Sequence, residues 1–195
     1  MGKEVQPMNE VIMNIPKKKS VILLFVLSVI TLGIYCSLWY LKRVPELNNL
    51  QTPSKLKKGA IASAFIIHIL LVGSIIGLFV IASLEGISNF NQNEVPITFT
   101  ILFFTAMILL LIESLLFLLI AFKTRKILNE SLINKGILKK VSGFYTFFLN
   151  YYYLQYEINR IILDKEEKKR VGPLIIFLLI YLIIPIGLVS YYYFV

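Results

Sequence analysis

Two long apolar runs constrain this chain more than any other feature of its sequence. Residues 59–83 and 96–122 are almost continuously apolar, and each run contains a single ionisable residue, His68 or Glu113. A helix of about 20 such residues crosses a hydrocarbon core of about 30 Å. Hydrophobic residues make up 57% of the 195 positions, which is more than a soluble domain of this size buries in one core. The sequence therefore predicts an all-α, polytopic integral membrane protein with a helical bundle.

Three further segments complete the predicted membrane domain, which covers residues 20–195. The last run, 171–195, is a third span. The first run, 21–41, contains Gly33 and has basic residues on both flanks. It either crosses the bilayer, or breaks near Gly33 and re-enters, so its topology stays open.

The region between the second and last spans predicts interfacial structure over residues 126–163. Apolar positions in 123–140 recur at helical spacing, which predicts an amphipathic helix along the membrane surface. The stretch 144–156 is crowded with aromatic residues and interrupted by Asn150. It is short for a span, and tyrosines favour the headgroup boundary. It is therefore expected to lie at the interface.

The basic residues are segregated along the chain. All twenty Lys and Arg residues lie within 1–19, 42–58 and 123–170, whereas the loop 84–97 contains only two glutamates as charged residues. This is the positive-inside pattern. It predicts a multi-pass protein of a bacterial plasma membrane, with residues 1–19 as a flexible cytoplasmic arm, and with the loop 84–97 and the C-terminus outside. The net charge of +9 then favours anionic lipid as the partner, rather than nucleic acid.

His68 and Glu113 are the candidate intramembrane polar pair. His68 follows the start of its run by nine residues, and Glu113 precedes Lys123 by ten. At 1.5 Å per residue both lie roughly 14–15 Å deep. Two antiparallel helices joined by a short loop would place them side by side, because either group alone in hydrocarbon is costly. The pair is either a hydrogen bond between helices or a proton or ion site.

Gly73 and Gly77 form a GxxxG spacing in the same run, which allows another helix to approach closely. They point away from His68 on an ideal helix. The expected neighbour is the last helix or a second copy of the chain.

No catalytic constellation is present in the sequence. One histidine and one cysteine do not make a metal cluster of recognised spacing. No Gly-rich phosphate loop and no H-E-x-x-H motif occurs. We therefore expect a protein without enzymatic activity, cofactor or metal.

A short echo connects two distant parts of the chain. Gly33-Ile34-Tyr35 and Glu46-Leu47-Asn48 are repeated as Gly143-Phe144-Tyr145 and Glu157-Ile158-Asn159. Such echoes arise by duplication in membrane proteins, although short matches also occur by chance. Both interpretations stay open.

The same residues resemble a known family. Leu27 to Tyr35, then Trp39-Tyr40-Leu41-Lys42 and Glu46-Leu47-Asn48, resemble the T-x-G-I-Y, W-x-x-K and E-L-N signatures of the bacterial domain of unknown function 4234 family. Tyr153 to Arg160 resembles its later L-x-Q-x-E-I-N-K signature, with Leu and Gln adjacent here. The family-motif residues are Thr31, Gly33, Tyr35, Trp39, Lys42, Glu46, Asn48, Gln155, Glu157 and Asn159. The resemblance implies a small prokaryotic membrane protein and transfers no catalytic residue.

The function that the sequence favours is a non-catalytic membrane component. Its basic cytoplasmic face would bind lipid headgroups or a partner protein. A second copy of the chain is a further candidate partner. One alternative is a small proton- or ion-linked transporter or channel that uses His68 and Glu113. Another is an immunity protein against a membrane-active peptide.

Overall fold

Two long antiparallel helices form the centre of the protein. The structure, a computed structural model, describes residues 16–85 and 96–162. The two apolar runs fold into α3 (Lys58–Glu85) and α4 (Ile97–Asn134). His68 contacts Glu113, and Gly77 lies against Leu102. The paired residue numbers rise on one helix as they fall on the other, so the helices run in opposite directions.

Both helices present their apolar side chains outward. Their mean hydropathies, 2.7 and 2.6 over the most apolar windows, and their lengths are sufficient to cross a membrane. Only 22% and 17% of those windows are buried within the fold, so most of this apolar surface has no protein neighbour in the described chain. Lipid-facing helices have this pattern, because hydrocarbon solvates the side chains that a soluble protein would bury. The described residues therefore contain two candidate spans.

The region after the second span differs from the sequence prediction. The separate amphipathic helix expected over 123–140 is absent, because α4 continues without interruption to Asn134. Helix formation is cooperative, and residues 123–134 extend an existing helix without a new nucleus. The helix ends at Asn134, and Gly136, two residues later, has a φ of 72° that suits a left-handed C-terminal turn. Buried Ile127, Leu128 and Leu132 attach this extension to the fold.

The first apolar run is broken at the position that the sequence predicted. It forms α1 (Val21–Ile30) and α2 (Ile34–Asn48). Gly33 N–H donates to the Ser28 carbonyl at 2.7 Å, and Leu32 N–H donates to the Val29 carbonyl at 3.1 Å. These two bonds are those of a Schellman-type helix end. Leu32 and Gly33 both have positive φ, 49° and 89°, so the chain turns sharply there.

The aromatic stretch forms α5 (Gly143–Ile162), which is kinked at Asn150 with φ 45° and ψ −126°. Its two halves differ in exposure. Before the kink, Phe144, Phe147 and Phe148 are exposed. After it, Tyr151 and Tyr153 are only 5% exposed. Burial of a side chain within the fold does not set its depth in the membrane, so the placement of this stretch at the interface stays a prediction.

Helix α2 lies at the core of the described domain. Trp39, Tyr40 and Leu47 are fully buried, and Leu154 and Ile158 of α5 are buried as well. The residues ahead of α1 also contact this core, since Pro16 is buried and Lys17 and Lys19 form hydrogen bonds to it. The rest of the arm at 1–15, most of the loop 84–97, and the third predicted span at 171–195 lie outside the described residues.

Candidate functional site

The structure brings His68 and Glu113 together. Nδ1 of His68 lies 2.6 Å from Oε1 of Glu113, and both residues are 8% exposed. Nε2 of His68 lies 2.9 Å from the carbonyl oxygen of Leu32. The histidine therefore connects α3 both to α4 and to the turn between α1 and α2. Three elements meet at one side chain.

The hydrogen bonds determine where protons lie in this group. The Leu32 carbonyl can only accept, so Nε2 of His68 carries a proton and donates it. Between Nδ1 and Glu113 there is then one proton, either on the ring as an ion pair or on the carboxyl as a neutral pair. Both forms have zero net charge. Gain or loss of a proton would charge the group within apolar surroundings, which is costly.

Gly33 is required at the turn for two independent reasons. Its φ of 89° lies in the left-handed region that side chains disfavour. A Cβ at this position would also lie 2.9 Å from Cε1 of His68. Thr31 supports the same turn, because its Oγ1 accepts the backbone N–H of Tyr35 at 3.0 Å and donates to the Leu27 carbonyl at 2.7 Å. Tyr35, which is also a motif residue, contributes its backbone N–H to this turn.

A second buried polar group joins the two signature segments. Nε1 of Trp39 donates to Oε1 of Gln155 at 2.8 Å, and Nη2 of Arg43 donates to the same oxygen at 2.7 Å. Nε2 of Gln155 then donates to Oδ1 of Asn159 at 2.7 Å. Trp39, Arg43 and Gln155 are all fully buried. Segments more than a hundred residues apart in sequence therefore share one continuous hydrogen-bond network.

This network holds the residues ahead of α1, an extended segment at 16–20 that we term the strap. Asn159 accepts the backbone N–H of Lys19 at 3.1 Å and donates to its carbonyl at 2.7 Å. Glu46 accepts the backbone N–H of Lys17 at 3.3 Å, and Arg43 donates to the Lys17 carbonyl. The main chain of the strap is fixed at two residues.

The two asparagines of the echo make the same kind of contact. Asn48 accepts the backbone N–H of Leu56 at 2.8 Å and donates to its carbonyl at 3.0 Å. Asn159 forms the matching pair of bonds with Lys19. Each side chain therefore clamps the main chain of one residue in a neighbouring segment. The clamped residues, Leu56 and Lys19, are not related by the offset of the echo, so both interpretations of its origin stay open.

Other motif residues lie outside this network. Lys42 is exposed, and its neighbour Arg43 provides the buried cation. Glu157 is buried but pairs with Arg160, at 2.6 Å from Nε. The sequence prediction missed Arg43. Its spacing from Trp39 and Glu46, four and three residues, places all three on one helix face, and that spacing was the available signal.

The two glycines of the GxxxG spacing behave differently from each other. A Cβ at Gly77 would lie 2.8 Å from Cδ2 of Leu102, so its close neighbour is α4. The last helix lies outside the described residues, so the packing of that helix or of a second copy against the two glycines stays a prediction. Around Gly73, no described atom lies within 4 Å of a Cβ position.

One end of the α3–α4 pair carries the basic residues. Helix α3 starts there and α4 ends there, and the strap, the α2–α3 loop and the α4–α5 connection all join at this end. Its exposed lysines, which we term the basic end, are Lys17, Lys18, Lys42, Lys55, Lys57, Lys58, Lys123, Lys126, Lys135, Lys139 and Lys140. Within the described ranges, no three His, Cys, Asp or Glu residues gather where they could hold a metal ion.

The comparisons with known proteins give one match. A model of the family described as "Domain of unknown function (DUF4234)" matches residues 19–130. No curated protein and no solved structure gives a significant match. The matched range contains α1, α2, α3 and most of α4, and it ends before the second signature segment on α5.

Proposed function

The chain belongs to the DUF4234 family, and from that premise we propose that it is a non-catalytic, multi-pass component of a bacterial plasma membrane. Its basic end binds the headgroups of anionic phospholipids at the cytoplasmic surface. The two candidate spans anchor the protein in the membrane. The contact with lipid is supported by a difference between the described acidic side chains, which have partners inside the fold, and the basic ones, most of which are exposed.

The observation that carries this proposal is the pairing of the carboxylates. Each of the four glutamates whose side chains the structure describes has a partner inside the fold. Glu113 pairs with His68, Glu157 with Arg160, and Glu46 with Arg43. Glu130 accepts two hydrogen bonds from Ser54, at 2.9 and 2.6 Å. The acidic residues therefore stabilise the fold. Among the exposed lysines of the basic end, Lys126 lies 3.9 Å from Glu130, and the others form no ion pair with these four carboxylates, so their charge is available to an external anion.

The exposed phenylalanines support the same placement. Phe144 and Phe148 have ring centroids 4.9 Å apart, and Phe147 and Phe148 5.0 Å apart. This aromatic face directly follows the exposed Lys139 and Lys140. Aromatic rings beside lysines suit the headgroup boundary, because the rings enter the acyl region while the ammonium groups meet phosphate. Each lysine near an anionic surface contributes about 1 kcal/mol.

Spin-labelled lipids test this proposal in reconstituted membranes. The measured quantity is the association of labelled phosphatidylglycerol with the protein, relative to labelled phosphatidylcholine. We expect the wild type to prefer phosphatidylglycerol, and Lys139→Gln with Lys140→Gln to reduce that preference. Ser74→Gln with Ser83→Gln, at two α3 positions without charge, is the control and should leave it unchanged. Equal association of both lipids with the wild type would disprove the proposal.

A second candidate function is proton-linked transport, and one contact favours it. His68 and Glu113 share a proton across 2.6 Å between two helices that are long enough to span. A transport role requires that this proton exchange with both sides of the membrane. Proteoliposomes under a pH gradient would show a proton flux with the wild type and none with Glu113→Gln. Equal fluxes would exclude the pair as the proton site.

A further inference from the structure

Four cationic side chains gather around the strap with a single carboxylate. Arg43, Lys42 and Lys17 all lie close enough to Lys19 to repel its charge, and Glu46 is the one acidic group that attracts it. Glu46 is already paired with Arg43. The cluster of Lys17, Lys19, Lys42 and Arg43 therefore has an excess of positive charge within the described residues.

The fold holds this charge in place. The backbone of Lys17 is bonded to Glu46 and Arg43, and the backbone of Lys19 is bonded to Asn159. On the strap these bonds involve only main-chain atoms, so they fix its backbone without neutralising either lysine. The two lysines therefore start from fixed backbone positions, which limits how far their charges can separate. An arrangement that concentrates like charges by rigid contacts is stabilised when an anion binds.

The electrostatics of Lys19 and Arg43 favour the binding of an anion. Partial burial, together with the neighbouring charge of Arg43, lowers the pKa of Lys19 below its ordinary value. Arg43 is fully buried, and its Nε has no hydrogen-bond partner within the described ranges. A negative charge nearby would stabilise the charged forms of both Lys19 and Arg43.

The position of the strap identifies the kind of anion. Lys19 is followed at once by α1, whose Ile22 and Leu23 are 72% and 56% exposed. Along the chain, the surface side chains therefore change from cationic in the strap to apolar in α1 within about one helical turn. A ligand at this boundary has a charged group beside Lys17, Lys19 and Lys42, and an acyl portion along α1. A phospholipid has both parts, and free phosphate has only the first.

We infer that the strap and Lys42 form a discrete binding site for the phosphate of an anionic phospholipid headgroup. This inference rests on the proposed function and assigns it a location. Arg43 and the signature residues Glu46, Gln155 and Asn159 are then positioning residues, which hold the strap in the shape that the phosphate requires. The lysines contact the ligand.

The protein contains its own reporter for this site. Trp39 is the only tryptophan, and Cζ of Arg43 lies 5.9 Å from the centroid of its ring. Binding beside Arg43 should change the emission of Trp39. The full chain, in a neutral detergent, would be titrated separately with dihexanoyl-phosphatidylglycerol, dihexanoyl-phosphatidylcholine and inorganic phosphate. We expect a saturable change with phosphatidylglycerol, and no change at matched concentrations with the other two.

Two variants with equal charge loss locate the site. Lys17→Gln with Lys42→Gln should weaken phosphatidylglycerol binding about fivefold for each charge removed. Lys139→Gln with Lys140→Gln, on the α4–α5 connection, removes the same charge at another part of the basic end, and should therefore weaken the Trp39 response less. Asn159→Ala removes no charge but frees the strap, so it should also weaken binding, with thermal unfolding as the check that it remains folded.

Three results would overturn the site. They are equal weakening by the two lysine pairs, an equal response to phosphatidylcholine, and an equal response to inorganic phosphate. The spin-label measurement distinguishes this failure from failure of the proposed function. If any of these results occurs and the protein still prefers anionic lipid, the basic end binds lipid as a diffuse surface without a discrete site. If the protein shows no preference for anionic lipid, both the site and the proposed function are refuted.

Discussion

The Nδ1 atom of His68 lies 2.6 Å from Oε1 of Glu113, at matching depths on two antiparallel helices. The same ring reaches the Leu32 carbonyl with its other nitrogen. The His68 side chain thus fixes both the spacing between α3 and α4 and the position of the α1–α2 turn against α3. Because the hydrogen bonds leave zero net charge in either proton arrangement, the contact suits an apolar environment without needing solvent.

A double-mutant cycle measures this contact. His68→Ala and Glu113→Ala should each destabilise the protein, and about 1 kcal/mol of the two losses should be shared. Thermal unfolding in detergent gives the free energies. Ser114→Ala is the control, because this hydroxyl bonds only to the Leu110 carbonyl of its own helix at 2.7 Å. Strictly additive losses for His68 and Glu113 would contradict the contact.

Three glycine-to-alanine variants separate backbone strain from steric conflict. Gly33→Ala combines a positive φ with a Cβ at 2.9 Å from His68, and Gly136→Ala has a positive φ in open space. The backbone effect alone costs about 1–2 kcal/mol. Gly33→Ala should therefore destabilise more than Gly136→Ala, and His68→Ala in the same chain should reduce the difference.

Gly73→Ala is the control in that series. It lies within α3 with nothing described within 4 Å of its Cβ position, so it should stabilise the helix slightly, by up to about 1 kcal/mol. The order of the three melting temperatures checks the account. If the Gly33→Ala protein is as stable as the Gly136→Ala protein, the α1–α2 turn does not pack against His68.

Gln155 is expected to be the most sensitive position in the signature network. Gln155→Leu leaves Nε1 of Trp39 and Nη2 of Arg43 without their buried acceptor, which should cost roughly 2–4 kcal/mol. Gln155→Glu keeps that acceptor and loses only the bond donated to Asn159, so it should cost less. Unfolding followed by Trp39 fluorescence compares the two. Equal losses would mean that the shared oxygen contributes little.

The sequence predicted the parts of this structure that depend on local pattern. Continuous apolar runs predicted α3 and α4, and equal depth placed His68 beside Glu113. Gly33 marked the break between α1 and α2, because only glycine tolerates that backbone without cost.

The remainder depended on tertiary packing. The residues of 123–134 have amphipathic spacing, which is the same for a separate surface helix and for an extension of α4. Gln155 could not be assigned to Trp39 from sequence, because no local rule connects residues so distant. Composition did not show that Tyr151 and Tyr153, after the kink at Asn150, are buried within the fold, because that depends on contacts with distant segments.

The shared clamping role of the two asparagines can be tested by substitution. Asn48→Ala removes two hydrogen bonds to Leu56 and should cost about 1–2 kcal/mol. Asn159→Ala removes two bonds to Lys19 and a third donated by Gln155, so it should cost more. They hold different segments, and their effects should therefore add in the double variant. Equilibrium unfolding of the three proteins provides the comparison. A negligible loss at one position alone would argue that the echo does not reflect a shared role.

The topology is tested by cysteine labelling in intact cells, on a Cys36→Ser background. The positive-inside pattern predicts that position 135 lies in the cytoplasm and that the loop between the two candidate spans lies outside. An impermeant thiol reagent should therefore label Phe90→Cys and not Lys135→Cys. Labelling at position 135 alone would invert the assignment.

The salt dependence of lipid selectivity tests the central claim most directly. In wild-type protein reconstituted with spin-labelled lipids, phosphatidylglycerol should associate more strongly than phosphatidylcholine at an ionic strength of about 0.01 M. The difference should fall markedly at about 1 M, where the screening length shortens to about 3 Å. Selectivity that is absent at low salt, or unchanged at high salt, would contradict an electrostatic contact between the basic end and anionic headgroups.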